Sequence, residues 1–228
     1  MKLEDLNLQA LLSSSPEDGS IHFAGSRALI LDALALGLLR RELVDTLGWA
    51  GAKAVLSRFG YAHGWQTAAT MKDALPWEER DDWRKAGAEL HRIQGMVSPR
   101  IEPWTGPEPE PFAHSTWQHS YEAEQHLAHL GTATEPVCWT LTGFASGYLS
   151  YVNGTRVDGI EVACRACGDE TCRFVAKPRP QWQGADLSEI QLRYDQDGLH
   201  ASLTSAGKAL RGLQQQLTEH RLLLGSDL

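Results

Sequence analysis

Long apolar runs are missing from this chain of 228 residues. No stretch approaches the roughly 20 apolar residues of a membrane-spanning helix, and the N-terminus, MKLEDLNLQALL, has no secretory-signal pattern. Positive charge is also scarce, since 21 Lys and Arg stand against 29 Asp and Glu, a net charge of −8. Such a chain lacks the basic face that a phosphate backbone requires. We therefore expect a cytoplasmic protein that contacts neither membrane nor nucleic acid directly.

Signatures of catalysis are missing as well. The sequence has no G-x-x-x-x-G-K-[ST] phosphate loop, no G-x-G-x-x-G dinucleotide loop and no G-x-S-x-G nucleophile elbow. His91 with Glu89 or Glu122 could form a general-base pair, but this is a weak signal. We therefore predict that the chain is not an enzyme, and that alone it neither hydrolyses ATP nor binds DNA.

Cysteine is rare but clustered, and the four residues are Cys138, Cys164, Cys167 and Cys172. Disulfides are rare in the reducing compartment that the sequence indicates. Thiolates with one further ligand make a tetrahedral zinc site, so three cysteines within nine residues favour a metal site. Cys138, Glu161 and Asp169 are candidates for the fourth ligand, and spacing alone does not choose among them. Unpaired structural thiols and a disulfide remain alternatives.

Apolar residues at helical spacing dominate the N-terminal half. A polar arm and turn in residues 1–19 precede a short strand at 21–23. The pattern then predicts three helices, which cover Ala28 to Leu47 with Gly48 closing the helix, Ala50 to about Thr70, and Pro76 to about Gly95.

The second half predicts strands around one helix. Five of the ten prolines lie in residues 98–111, which indicates a loop. Residues 112–130 begin extended and turn helical, and a helix follows Pro136. The alternating segments VDGIEVAC and TCRFVAK flank the turn RACGDE, which predicts a β-hairpin. The fold class is therefore α+β, with a helical N-terminal half and a helix and β-hairpin unit.

A long helical pattern follows a linker at residues 178–186. Its leucines fall seven apart over about three heptads, the minimum for a coiled coil, at Leu203, Leu210, Leu217 and Leu224. A single helix docked on the domain fits this pattern about as well, and His220 on a core position weakens the coiled-coil interpretation.

Several segments together resemble one protein family. EPVCWTLTGFASGYLSYVNG, followed by IEVACRACGDETCRFVAKP, resembles the 4-vinyl-reductase-type domain of aromatic-responsive bacterial transcription activators. These are phenol-, xylene- and toluene-sensing regulators that work with sigma-54 RNA polymerase. RRELVDTLGWAGAKAVLSRFGYAHG, GAELHRIQGMV and TWQHSYEAE resemble their upstream segments. The resemblance is collinear over roughly residues 20–178.

The resemblance implies a zinc site and its ligands. The family order Cys, Glu, Cys, Cys maps onto Cys138, Glu161, Cys164 and Cys172, and it leaves Cys167 out. A site with four protein ligands has no open position for water, so such a zinc is structural. It would hold the helix to the hairpin.

The resemblance also implies an effector pocket. Its polar end would be His91 and Trp117, which can hydrogen-bond a phenolic hydroxyl. Tyr148 aligns with a pocket tyrosine, and Phe144 is a neighbour for which core packing is the simpler role. Gly159 stands where phenol-type members carry an aromatic, which suggests extra space and a bulkier aromatic effector.

Two further positions depart from the family pattern. Arg84 falls near a position that is aromatic in phenol-type members, so that edge of the pocket is expected to be polar. The proline-rich loop at 102–111 does not match the family closely. These departures affect the identity of the effector rather than the class of sensor.

The resemblance implies an arm at 1–22, a sensing domain at 23–178 and a linker helix at 179–228. The family's ATPase domain would begin where this sequence ends, so we expect an excised sensor rather than a stand-alone one. We predict a homodimer that binds a small aromatic effector and relieves repression of an attached ATPase. The alternatives are a stand-alone scaffold or assembly protein of the same fold and, less favoured, a reductase.

Overall fold

The computed structural model describes residues 2–101, 103–105, 110–194, 212 and 216. The predicted leucine heptads from Leu203 to Leu224 lie outside the described residues. Helices and two antiparallel sheets make up the described chain, so the predicted α+β class is confirmed. None of the helices it describes combines the length and the apolar character that a membrane span needs.

A small antiparallel sheet forms near the N-terminus. A short helix, α1 (Leu8–Leu11), leads into β1 (Leu12–Ser15), β2 (Ser20–Phe23) and β3 (Ser26–Ala28), which pair in that order. The sequence predicts only the middle strand. The flanking strands are short and rich in serine, so they carry no clear alternation of apolar and polar residues.

The long helix α2 (Ala33–Ala74) spans the first two predicted helices. It begins at Ala33, and the prediction of a start at Ala28 is wrong because Ala28 ends β3. Asp32 caps the helix, since its side chain accepts a hydrogen bond of 2.7 Å from the backbone N–H of Ala35. Gly48 has φ +70° and interrupts the helix where the sequence predicts a break.

The third predicted helix is α3 (Arg80–Ile93). Beyond it, β4 (Ser98–Arg100) pairs with β5 (Ala113–Gln118), so the region predicted as a loop contains a short edge strand. The predicted change from extended to helical chain is confirmed, because β5 leads into α4 (Tyr121–Leu130).

The helix and hairpin of the second half form as predicted. They are α5 (Trp139–Asn153), β6 (Val157–Ala163) and β7 (Cys172–Pro178), followed by α6 (Gly184–Tyr194). The larger sheet has the order β4-β5-β7-β6, and all of its pairs are antiparallel. Its strands and α5 contribute many of the core residues around the site.

Glycines let α2 and α5 pack backbone to backbone. A Cβ added at Gly64 would lie 2.0 Å from the carbonyl oxygen of Phe144, and one at Gly147 would lie 2.0 Å from that of Tyr61. Gly60 and Gly143 make equally close approaches. The two G-x-x-x-G segments therefore fix the separation of the two helices, and with it the position of Phe144.

Candidate functional site

A cavity of about 250 Å³ lies between α3, α5 and the larger sheet. Most of its wall is apolar, and it includes four of the five residues predicted to bind a ligand, namely His91, Trp117, Phe144 and Tyr148. The wall has a more polar part formed by α3 and the segment before β5, with Arg84, Lys85, Glu110, His114 and Ser115. This is the mixture expected of a small-molecule site, an apolar wall with a few polar groups.

His91 is the polar group most deeply buried in this wall, with 2% of its surface exposed. Its ring centroid lies 4.4 Å from that of Phe144 and 6.1 Å from that of Trp117. Burial, and then the neighbouring His63, lower the pKa of His91 to about 3, so the imidazole is neutral at pH 7. Its Nε2 atom is buried without a hydrogen-bond partner among the residues that the structure describes.

Trp117 and Phe174 form a stacked pair in the wall. Their ring planes are 11° apart and their centroids 5.0 Å apart. Trp117 lies on β5 and is buried, and its backbone pairs with that of Cys172 on β7. Phe174 is a cavity residue that the sequence reasoning missed. Side chains alternate along a strand, so the buried Cys172 two positions earlier placed Phe174 on the same face.

Tyr148 contributes a ring rather than a hydroxyl to the cavity. Its O–H donates a hydrogen bond of 2.8 Å to the backbone oxygen of Trp83, and burial raises its pKa. The ring lies against Gly87, where an added Cβ would be 2.7 Å from a ring carbon. Tyr148 therefore braces α3 against α5 along the cavity.

Gly159 does not line this cavity. A Cβ at this position would lie 2.2 Å from Cε2 of Phe174. The Phe174 ring therefore occupies the space over the glycine, and it is itself part of the cavity wall. The space expected from the missing aromatic side chain is filled from the neighbouring strand.

Four buried ligand-type side chains gather at the other end of the hairpin. They are Cys138, Glu161, Cys164 and Cys172, and one potential ligand atom of each lies within 4.8 Å of all the others. Cys138 directly precedes α5, Glu161 and Cys164 lie on and just after β6, and Cys172 begins β7. This is the set that the family resemblance implies.

The spacing of the sulfur atoms fits one metal ion. Sγ of Cys172 lies 3.7 Å from Sγ of Cys138 and 3.9 Å from Sγ of Cys164. A tetrahedral zinc with Zn–S bonds of about 2.3 Å needs S–S separations of about 3.8 Å. All four cysteines are free, which argues against the disulfide alternative.

The electrostatics of this cluster also suit a cation. Burial is the main cause that raises the pKa of Glu161 to about 8 and that of Cys138 well above its ordinary value. One oxygen of Glu161 accepts a hydrogen bond of 2.8 Å from the backbone N–H of Cys138. The other oxygen has no partner among the described residues. A divalent cation would stabilise the ionised forms and use this free oxygen.

The two remaining candidates lie outside the cluster. Asp169 accepts a hydrogen bond of 2.7 Å from the backbone N–H of Cys164, so it stabilises the turn. Cys167 lies in the same turn, is half-buried and does not belong to the four-residue set.

Known proteins resemble the chain over most of its length. The family described as Activator of aromatic catabolism matches residues 7–104, and the 4-vinyl-reductase-type domain matches residues 117–178. The phenol regulator MopR of Acinetobacter guillouiae is 34% identical over 172 residues, which are 75% of this chain and 31% of MopR. The transcriptional regulatory protein XylR of Pseudomonas putida is 30% identical over 200 residues, 86% of this chain and 35% of XylR. The chain thus spans about a third of these regulators.

A solved structure is similar over nearly its whole length. It is the phenol-responsive sensory domain of the transcription activator PoxR with phenol, with a TM-score of 0.72 and 31% identity. The match covers 85% of this chain and 96% of that domain. These relatives are regulators rather than enzymes. The chain therefore belongs to the family of ligand-binding sensor domains of aromatic-responsive transcription activators.

Proposed function

We propose that this chain binds a small aromatic effector that carries a hydroxyl group, and that it does so in the cavity beside His91. The observation that carries the proposal is the buried, unpartnered Nε2 of His91 in an otherwise apolar and aromatic wall. A buried polar atom without a partner costs about 1–3 kcal/mol, which a ligand hydroxyl would recover. A neutral imidazole can pair with a hydroxyl in either tautomer.

Three further observations support an aromatic hydroxyl compound. Trp117 lies in the same wall as His91, as the family resemblance implies for a hydroxyl-binding pair. The rings of Phe144, Tyr148 and Phe174 provide apolar surface for an aromatic ligand. The related PoxR domain carries phenol, and MopR is a phenol regulator.

The test is a thermal-shift panel on the 228-residue chain with phenol, 3,4-dimethylphenol, toluene and a hydroxybiphenyl. A ligand at 100 times its dissociation constant stabilises the folded state by about 2.7 kcal/mol. We expect the phenols to raise Tm and His91→Ala to remove that rise. His63→Ala is the matched control, because His63 packs 5.0 Å from Phe144 but does not line the cavity. No shift with any compound would favour the scaffold alternative.

We also propose that Cys138, Glu161, Cys164 and Cys172 hold one structural zinc ion. The sulfur spacing and the free Glu161 oxygen support it, and four protein ligands leave no position for a reacting water. Mass spectrometric metal analysis should find one zinc per chain. Cys138→Ser should lose the zinc, whereas Cys167→Ser should keep it. A metal-free protein with an unchanged melting temperature would contradict the proposal.

We propose that effector binding is passed through α6 towards an attached ATPase domain, whose repression it relieves. Contacts connect the cavity to α6: Phe144 abuts Gly64 of α2, and Tyr61 of α2 packs 5.6 Å from Tyr194 of α6. Lys53 of α2 also pairs with Glu189 of α6 at 2.9 Å. Hydrogen exchange in residues 184–194 should therefore change when phenol is added. Unchanged exchange there with saturating phenol would contradict this route.

A homodimer is the proposed assembly, and the chain is proposed to be cytoplasmic and to make no direct contact with nucleic acid or membrane. An exposed apolar stretch at the start of α2 supports the dimer, with Leu29, Ile30, Leu31, Leu34, Leu38 and Leu39 each at least half exposed. Contiguous apolar surface of this kind marks interfaces. Leu34→Glu with Leu38→Glu should yield a monomer in analytical ultracentrifugation. A wild-type monomer at high concentration would contradict the proposal.

A further inference from the structure

Helix α3 places a second polar group in the cavity wall, away from His91. Arg84 and His91 are seven residues apart, close to two full turns, and both line the cavity. At 1.5 Å per residue they are about 10 Å apart along the helix. Gly87 lies between them and also lines the cavity, so no side chain of its own separates the two.

The cavity is larger than one unsubstituted ring requires. A cavity of about 150 Å³ is enough to bind benzene, whereas this one measures about 250 Å³. A single ring that hydrogen-bonds to His91 therefore leaves space towards Arg84. A substituent on the carbon opposite the hydroxyl would extend into that space.

Asp81 holds the guanidinium of Arg84 in place. Its Oδ1 accepts hydrogen bonds from Nε at 2.9 Å and from Nη2 at 2.7 Å. Its other oxygen pairs with Nζ of Lys85 at 2.6 Å. These hydrogen bonds lower the pKa of Asp81, so it is ionised. Within the described part of the chain, Nη1 of Arg84 makes no hydrogen bond and remains available as a donor.

The charges around this end of the cavity cancel. Arg84 and Lys85 are positive, whereas Asp81 and the cavity residue Glu110 are negative. This end therefore offers hydrogen-bond donors without a net positive charge. Such an end favours a neutral acceptor, such as a ketone or aldehyde oxygen, over a carboxylate, which would also face the two acidic groups.

We propose that Arg84 is a second specificity-determining residue, and that the preferred effectors are phenols with a neutral hydrogen-bond acceptor opposite the hydroxyl. The inference rests on the proposed function, because His91 fixes the hydroxyl end of the ligand. Arg84 then contacts the acceptor at the other end. Phenol itself binds without using Arg84.

The test compares 4-hydroxyacetophenone with 4-isopropylphenol by calorimetry on the 228-residue chain. The two ligands have nearly the same shape, but only the first carries an acceptor. Arg84→Met should weaken 4-hydroxyacetophenone about tenfold and should change the affinity of 4-isopropylphenol less than about twofold. Arg84→Gln, which keeps a donor, should restore part of the loss. Arg92→Met is the matched control, because Arg92 lies on the same helix, pairs with Glu89 and does not line the cavity.

Equal losses for both ligands, or no loss for either, would overturn the role of Arg84. Tighter binding of 4-hydroxybenzoate than of 4-hydroxyacetophenone would overturn the preference for a neutral acceptor. Phenol with wild type and His91→Ala separates this inference from the proposed function. If phenol binding depends on His91 while the Arg84 variants bind all ligands normally, only the inference about Arg84 fails. If phenol does not bind at all, the proposed function fails.

Discussion

Trp117 lies directly opposite Cys172 in the ladder between β5 and β7. One residue of the pair belongs to the aromatic cavity, and the other belongs to the cysteine and glutamate cluster. The backbone of one strand pair therefore connects the two sites. A change in the cluster that moves Cys172 also moves the Trp117 ring and the Phe174 ring stacked on it.

This connection predicts that metal loss weakens effector binding. Removing the metal frees Cys172 from the cluster and loosens the wall that contains Trp117. We expect the affinity for phenol to fall at least about fivefold after chelation and to return when zinc is added. Calorimetry on the same sample before and after chelation measures the effect, with the chelated Cys167→Ser protein as a control that should behave like wild type. Equal affinity with and without metal would show that the two sites are independent.

The contact between α2 and α5 predicts the sign of a glycine substitution. Helix propensity alone would make Gly64→Ala stabilising by about 1 kcal/mol. The added Cβ would instead lie 2.0 Å from the backbone oxygen of Phe144, and both helix backbones must move apart. We therefore expect a loss of about 1–3 kcal/mol in the free energy of unfolding, measured with urea. A stabilised variant would mean that the helices are not in backbone contact.

A buried ion pair at the start of α5 predicts a large effect for one carboxylate. Glu122 pairs with Arg40 at 2.7 Å and accepts hydrogen bonds from the backbone N–H groups of Thr140 and Leu141. Both charged side chains are buried. Glu122→Gln leaves the Arg40 charge without its partner, so we expect a loss of about 3–5 kcal/mol in urea unfolding.

The matched control for this pair is exposed. Arg41 and Asp45 form an ion pair in which both side chains are more than half exposed. Asp45→Asn should cost less than about 1 kcal/mol. Similar costs for Glu122→Gln and Asp45→Asn would contradict the importance of the buried carboxylate.

The neutral His91 predicts how stability depends on pH. Its pKa is about 3 in the folded chain and about 6.5 when unfolded. Between these values the unfolded chain binds a proton that the folded chain does not. The contribution of His91 is therefore complete above pH 6.5 and is lost progressively as the pH falls towards 3. Urea unfolding from about pH 7 to about pH 4 should show a smaller decline for His91→Gln than for wild type. Identical declines would mean that His91 is not buried in its neutral form.

Sequence patterns predicted the elements whose signals are local. The helix after Pro136, the hairpin and the break at Gly48 follow from apolar spacing and from glycine, and the structure confirms them. The start of α2 was set too early, because Leu29, Ile30 and Leu31 continue the apolar pattern although they are exposed. Apolar spacing cannot distinguish residues that face the domain's own core from residues that face solvent or another chain.

The candidate site was predictable only in part. The family resemblance named the cysteine and glutamate set, which the structure brings together. Position-by-position comparison did not reveal that Phe174 fills the space over Gly159, because the two lie on different strands and meet only through the register of the hairpin. The distance between Arg84 and the His91 end of the cavity likewise depends on how α3 packs against the sheet.

In the proposed function His91 receives the effector's hydroxyl, and a calorimetric cycle tests this role most directly. Phenol and toluene differ in the hydroxyl, and wild type and His91→Ala differ in its partner. We predict that wild type prefers phenol over toluene by at least about tenfold and that His91→Ala loses this preference, which corresponds to about 1.4 kcal/mol of coupling. A preference for phenol that is the same in both proteins would contradict this role.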